Sequence, residues 1–333
     1  MSSTPSNLNV TYMGLSLPSP LVAASSSMTH TLDGVTACAW AGAGAVVLKS
    51  LFEEQITAQV EHELSLTEDS LYLAEAADYV RNYTTENAVG DYLELIKKSK
   101  AAVDVPVIAS IHCVTPRGWT RFAHEAELAG ADGIECNVFI PPFDQKLKGA
   151  DLEQRHLDIV AAIRKETSLP IALKVGYYFS NLYRTLLKFG RSDIQSLVLF
   201  NRFLYPDMDI STMKMNSSSV LSTSADALRS LRWIGILSPE IPVQLAASTG
   251  IHDSADAIKQ LLAGAQVVQV CSSLIKNGPG HFKTLNEGIS GWMAGKGFSS
   301  IDEFRGALAC DKNDIGAAYE RVQYMKLSFG DKS

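Results

Sequence analysis

The chain has 333 residues, a formal net charge of -7, 46% hydrophobic residues and 20% charged residues. This is ordinary globular composition, and its acidic balance argues against nucleic acid as a main partner, because phosphate binding needs clustered Lys and Arg. No apolar run reaches the ~18 residues of a membrane helix, and the polar start MSSTPSNLNVTYMG lacks a charged-then-apolar leader pattern, so the expectation is a soluble, cytoplasmic protein.

Short apolar runs alternate with amphipathic segments. In chain order the runs are PLVAAS (20–25), AGAVVLKS (43–50), VPVIASIHC (105–113), GIECNVFI (133–140), PIALKVG (170–176), SLVLFN (196–201), VQLAASTG (243–250) and VVQVCSS (267–273). Such Val/Ile/Leu/Ala-rich runs suit strands buried on both faces. LDGVTACAWAGA, NAVGDYLELIKKSKAA, RGWTRFAHEAELAG, DLEQRHLDIVAAIRKE, ADALRSLRWIGIL and SADAIKQLLAGA carry apolar residues at helical spacing. Strands alternating with helices in this number predict an α/β fold, the (β/α)8 TIM barrel. The alternative, an open doubly wound sheet, lacks a G-x-G-x-x-G after the first strand. We expect one domain over 1–333, with the barrel at about 18–290 and a helical extension at about 291–333. The connections 51–88 and 202–222 exceed ordinary loops and are expected over the C-terminal mouth.

Five widely spaced cysteines, Cys38, Cys113, Cys136, Cys271 and Cys310, form no C-x-x-C pair. They predict neither a disulfide framework nor a zinc or iron–sulfur site, and no metal is expected.

In a barrel the chemistry sits where strands end. Those ends are Ala24-Ser25, Lys49-Ser50, His112-Cys113, Asn137, Lys174, Asn201, Ser248-Thr249-Gly250 and Cys271-Ser272-Ser273. A single strand-end Lys can simply reach solvent. Two lysines and two asparagines on four strands point instead to a site. The small residues Ser248, Thr249, Gly250, Cys271 and Ser272 expose backbone N–H groups where many barrels hold a phosphate, although a pair of tight turns would look the same. A phosphate anchor with Lys and Asn at the mouth suits FMN. Lys174 is the candidate cation for the isoalloxazine edge, and Asn side chains offer donor and acceptor to an imide edge.

At these residues the chain resembles the dihydroorotate dehydrogenases, specifically the soluble class 1 branch. TYMGLSLPSPLVAASS, AGAGAVVLKS, DVPVIASI with AELAGADGIECN, LPIALKV, and GIHDSADAIKQLLAGAQVVQV with NGPGHF are similar, in order, to its strand units over about residues 8–290. The resemblance implies oxidation of dihydroorotate to orotate in pyrimidine biosynthesis, with hydride passing to FMN while a base removes a proton. It places Ala24, Ser25, Lys49, Ser50, Asn137 and Lys174 against FMN, with Lys49 and Lys174 as the catalytic lysines. Thr249, Gly250, Cys271 and Ser272 would hold the phosphate. Asn82, Asn137 and Asn201 would face the pyrimidine. It also implies a homodimer, and a separate electron-transfer partner or fumarate as acceptor.

The chain departs from that pattern. The family's N-x-S-C-P-N loop, whose Cys is the class 1 base, reads NVFIPP here, with Ile140 in place of the Cys and Pro142 in place of the second Asn. The Asn-Ser after the sixth strand is Asn201-Arg202, and the paired Gly before the phosphate loop is Thr249-Gly250. The chain therefore resembles the dihydroorotate dehydrogenase-like branch. Other bases are poorly placed. Cys136 points away if Asn137 faces the flavin. Cys113 suits burial, and Asp144 suits solvent. Tyr177, Tyr178 and Tyr205 are weak bases at neutral pH. Arg202 can meet a substrate carboxylate or pair with Asp207, while His112, His252 and His281 read as structural. Three readings follow: a dihydroorotate or related dihydropyrimidine oxidoreductase with a displaced base, an FMN oxidoreductase on another substrate, or a flavin-bound interaction protein without catalysis.

Overall fold

The computed structural model describes residues 7–52, 89–113, 120–140, 145–203, 206–217 and 221–310. All eight apolar runs form strands of one closed parallel barrel. Its staves are β3 (Leu21–Ala23), β4 (Ala45–Val47) continued by β5 (Leu51–Phe52), β6 (Val107–Cys113), β7 (Gly133–Val138), β8 (Ile171–Val175), β9 (Ser196–Leu199), β12 (Gln244–Ser248) and β13 (Val267–Val270). β13 returns to β3 with Val270 opposite Ala23, which closes the ring. An antiparallel hairpin, β1 (Val10–Tyr12) and β2 (Leu15–Leu17), packs at the N-terminal end. There the Gln244 side chain accepts from Met13 N–H at 2.7 Å and donates to Thr11 O at 3.0 Å.

Helices Leu32–Trp40, 89–102, Thr120–Leu128, Gly149–Arg164, Ala227–Leu237 and Ser254–Leu262 occupy the predicted amphipathic segments. The helix Leu182–Gly190, absent from the sequence reading, adds to them. Its buried Leu182, Leu186 and Phe189 follow helical spacing. The main core lies between barrel and helices, where Ile134, Cys136, Leu173 and Leu197 are fully buried.

Two expectations need correction or restriction. A helical extension was expected from about residue 291. The helix His281–Lys296 instead stops at Gly297, whose φ of 80° is left-handed. Beyond it lie a 3-10 turn, Ile301–Glu303, and Gly306 with φ 75°, so the described part to Cys310 is not α-helical. Side chains there still pack, but paired glycine turns interrupt the helical register. Residues 311–333 lie outside the described residues, as does 53–88, the expected mouth-covering connection. The second insertion contains a protruding hairpin, β10 (Pro206–Asp209) with β11 (Lys214–Ser217), in which Met208 pairs with Met215 and Asp209 with Lys214.

Candidate active site

Strand alternation decides which side chains enter the barrel. On β7 it sends Glu135 and Asn137 inward and Cys136 out to the helices. Cys136 is fully buried there, as expected. Lys174 of β8, 7% exposed, donates to Glu135 Oε1 at 3.3 Å and to Gln269 Oε1 at 2.9 Å. The Gln269 amide donates to the other Glu135 oxygen. β7 and β13 stand on opposite sides of the ring, so this trio crosses the barrel axis. A buried charge is costly unless paired and hydrogen-bonded, and here both conditions are met.

The second stave breaks between β4 and β5, at the lysine-serine end. Lys49 N–H turns to Thr29 O at 3.1 Å and Ser50 N–H to Ser25 Oγ at 2.8 Å. The break joins three hydroxyls in line, Ser25 to Ser50 at 3.0 Å and Ser50 to Ser110 at 2.7 Å. It also leaves Ser110 N–H without a strand partner, and Tyr92 OH accepts it at 2.9 Å while donating to Ser110 O at 3.1 Å. Burial holds the Tyr92 phenol well above its usual value, so it stays protonated. Lys49 is half-buried at this break, and Ala24 N–H is held by Val270 O at 2.9 Å.

Thr249 and Gly250 follow β12 with φ 78° and 83°. A Cβ at Gly250 would come within 2.2 Å of Ala227 N, so glycine is required for the helix Ala227–Leu237 to approach. Thr249 is an unusual residue in this conformation, and its hydroxyl donates to Phe200 O at 3.2 Å. Gly250 N–H donates to Ser222 Oγ at 3.3 Å, and Ser222 N–H to Ser272 Oγ at 3.0 Å. Ser248 is buried beside them. Cys271 precedes the helix Ser272–Asn277, and its carbonyl accepts Leu274 N–H at 2.9 Å and Ile275 N–H at 3.1 Å. Burial raises the Cys271 thiol above its usual value, opposed by Lys174, Ser26 and Arg202. Burial, with Lys276, holds His252 below the usual imidazole value, and its carbonyl binds His281 Nε2 at 2.9 Å.

On the substrate side, Asn201 donates to Asn137 Oδ1 at 2.6 Å, bringing together two of the predicted asparagines. Around them the strand ends carry an arc of rings. Phe203 lies 5.0 Å from Phe139, 5.2 Å from Tyr177 and 4.7 Å from Tyr178. It occupies the space over Gly176, where a Cβ would come within 2.7 Å of its ring. His112 stacks on Phe52 at 4.8 Å. Ile140 packs against the core, Arg229 sits 4.0 Å over the Tyr177 ring, and Arg202 donates to Leu221 O at 3.3 Å. Asn82, Pro142, Asp144, Tyr205 and the Cys113 side chain lie outside the described residues.

The predicted residues Ala24, Ser25, Lys49, Ser50, Asn137, Lys174 and Asn201 thus share the C-terminal ends of the barrel staves with Ser248, Thr249, Gly250, Cys271 and Ser272. Sequence reasoning missed Glu135, Gln269, Ser110, Tyr92, Ser222 and Phe203. Glu135 and Gln269 had a signal, being polar residues inside otherwise apolar strands. Ser222 and Tyr92 had none, since their roles depend on distant partners. The donor set fits FMN: buried cationic Lys174 and the Asn pair suit an isoalloxazine, while the Gly250 amide and the Ser222 and Ser272 hydroxyls meet in one network that suits a phosphate. Among the described residues no His/Cys/Asp/Glu group could hold a metal ion. No helix among them is long and apolar enough to cross a membrane.

The family model for dihydroorotate dehydrogenase matches residues 7–293. A dihydroorotate dehydrogenase B (NAD(+)) catalytic subunit from Methanothermobacter thermautotrophicus is 26% identical over 319 residues, covering 90% of this chain and 97% of that relative. One of the same description from Pyrococcus abyssi is 27% identical over 310 residues, covering 90% and 98%. The NAD-dependent dihydropyrimidine dehydrogenase subunit PreA of Escherichia coli is 23% identical over 325 residues, covering 90% and 76%.

Proposed function

The chain belongs to the dihydroorotate dehydrogenase family, and from that premise we propose that it is an FMN-dependent dehydrogenase acting on the ring CH–CH bond of a dihydropyrimidine. The observation that carries this reading is Lys174, a lysine buried inside the barrel and held by two acceptors at the end of its strand. FMN, when bound, supplies a two-electron acceptor. Ala24, Ser25, Lys49, Ser50, Asn137 and Lys174 would hold its ring. Ser248, Thr249, Gly250, Cys271 and Ser272, joined by Ser222, would hold its phosphate. Asn137 and Asn201 would orient the substrate through its amide edges, with Asn82 as a further contact.

Dihydroorotate is the first substrate to consider. Its oxidation removes a hydride from C6 and a proton from C5, and Ile140 cannot take that proton. The aromatic arc favours a second reading. Phe139 and Phe203 line the rim beside the Asn pair with uncharged rings, and Arg229 is engaged on Tyr177. Rings of this kind suit the flat, uncharged face of a neutral dihydropyrimidine. The PreA relative carries a dihydropyrimidine dehydrogenase name, which supports the same direction.

Several relatives are described as one subunit of an enzyme. A separate electron-transfer partner for this chain, working in the cytoplasm as a homodimer, belongs to the same proposal. The test is an anaerobic visible spectrum of the purified protein with excess dihydroorotate or dihydrouracil. Bleaching of a flavin band by either supports the reading and selects the substrate. A flavin band that neither compound bleaches, but dithionite does, would retain the cofactor and reject the dihydropyrimidine.

A further inference from the structure

We propose that Glu135 sets the net charge that Lys174 presents to the cofactor, a role that rests on the flavin reading above. Glu135, Lys174 and Gln269 form a closed ring in which each side chain touches the other two. Glu135 gives one oxygen to the Lys174 ammonium and the other to the Gln269 amide. The Gln269 oxygen returns to Lys174. This arrangement fixes the orientation of the carboxamide, because its oxygen must face the ammonium and its nitrogen the carboxylate. The ammonium is therefore anchored on two sides by groups from opposite walls of the barrel.

The three residues are between 1% and 7% exposed, so water screens them little. Lys174 contributes one positive charge and Glu135 one negative charge. Taken together the ring is neutral. Stability alone gives weak reason for a barrel to bury such a pair, since apolar residues of similar volume often serve as well. Its electrostatic consequence is specific. The Glu135 carboxylate, 3.3 Å from the Lys174 ammonium, cancels part of its field in the dry interior. Lys174 stands one residue from the end of β8, so its charge lies directly below the mouth. A flavin held there would gain electrons less readily than beside an uncompensated lysine, because reduction adds negative charge to the ring. Glu135 is thus a positioning residue that tempers the oxidising power of the cofactor.

The experiment is a dye-equilibrated two-electron midpoint potential of the FMN-loaded protein for wild type, Glu135→Gln, Lys174→Gln and the double variant. Glutamine retains hydrogen-bonding capacity at both positions, and the ring charge becomes 0, +1, -1 and 0 in that order. Glu135→Gln is expected to favour reduction about tenfold, or about 30 mV. Lys174→Gln is expected to disfavour it by a similar factor, and the double variant to return near wild type. An unmoved or lowered potential in Glu135→Gln overturns the proposal, whereas a purely structural ring predicts that outcome. Where Glu135→Gln does not fold or hold FMN, Lys174→Gln and the double variant carry the same test, differing only at Glu135. Equal potentials in those two overturn the proposal, and a double variant favoured about tenfold supports it. A wild type that takes up no FMN overturns the flavin reading and this inference together, while flavin-loaded protein with an indifferent Glu135 overturns the inference alone.

Discussion

Ile140 is half-buried and packed on the core, and under the proposed function it stands where the family resemblance puts the proton acceptor. A well-placed general base contributes roughly 10²–10⁴-fold in rate. Ile140→Cys should raise steady-state dihydroorotate turnover by about 10²-fold, and no gain would argue for the neutral-substrate reading. Thr249 poses a different single-residue question. It holds a left-handed conformation with one hydroxyl contact to Phe200 O. Thr249→Val keeps the branched side chain and removes that contact, and should cost about 1–3 kcal/mol in urea unfolding. Thr249→Gly should be near neutral or stabilising, because glycine accepts the same φ without strain. At this scale much of the site was legible. Lys49, Lys174, Asn137 and Asn201 stood out as polar ends of apolar strands. Ser222 did not, because a serine in a polar insertion looks like any other until Ser272 and Gly250 meet it.

Helix Gly149–Arg164 carries His156 on its buried face, between Phe179 and Phe189, with Nδ1 bound to Leu152 O at 2.7 Å. Burial holds its imidazole below the ordinary value of 6.5. The unfolded chain therefore binds this proton more readily than the folded one. Stability due to neutral His156 is present above pH 6.5 and is lost progressively as pH falls below it. His156→Phe should flatten the decline in melting temperature between about pH 7 and 5, measured by circular dichroism. An unchanged pH slope would show that His156 is not its source. Element existence was legible from periodicity for every barrel strand. The helix Leu182–Gly190 went unread although Leu182, Leu186 and Phe189 keep regular helical spacing, so its signal was present in the sequence. The stop at Gly297 was readable as a glycine after Lys296 in the last turn, but apolar spacing that continues beyond it masked the signal.

The barrel as a whole is tied through its centre as well as around its rim. Breaking the central ion pair leaves a buried charge, which typically costs about 3–5 kcal/mol. Lys174→Met should lower the unfolding free energy by about that amount, and adding Glu135→Leu should restore most of it in the same denaturant titration. A second substitution that brings further loss would show that the carboxylate is satisfied by other means. The alternation of strands and helices made this architecture readable, whereas a contact across the axis depends on closure, which no local pattern encodes. The hairpin that projects from the barrel has a separate chemical consequence. Met208, Met213 and Met215 are 70%, 91% and 66% exposed, while Met13 and Met293 are nearly inaccessible. Thioethers open to solvent are the first to become sulfoxides under peroxide. Mild oxidation should therefore write a polar oxygen onto the hairpin's apolar face and leave the barrel unmarked, a division that peptide mass spectrometry would read directly.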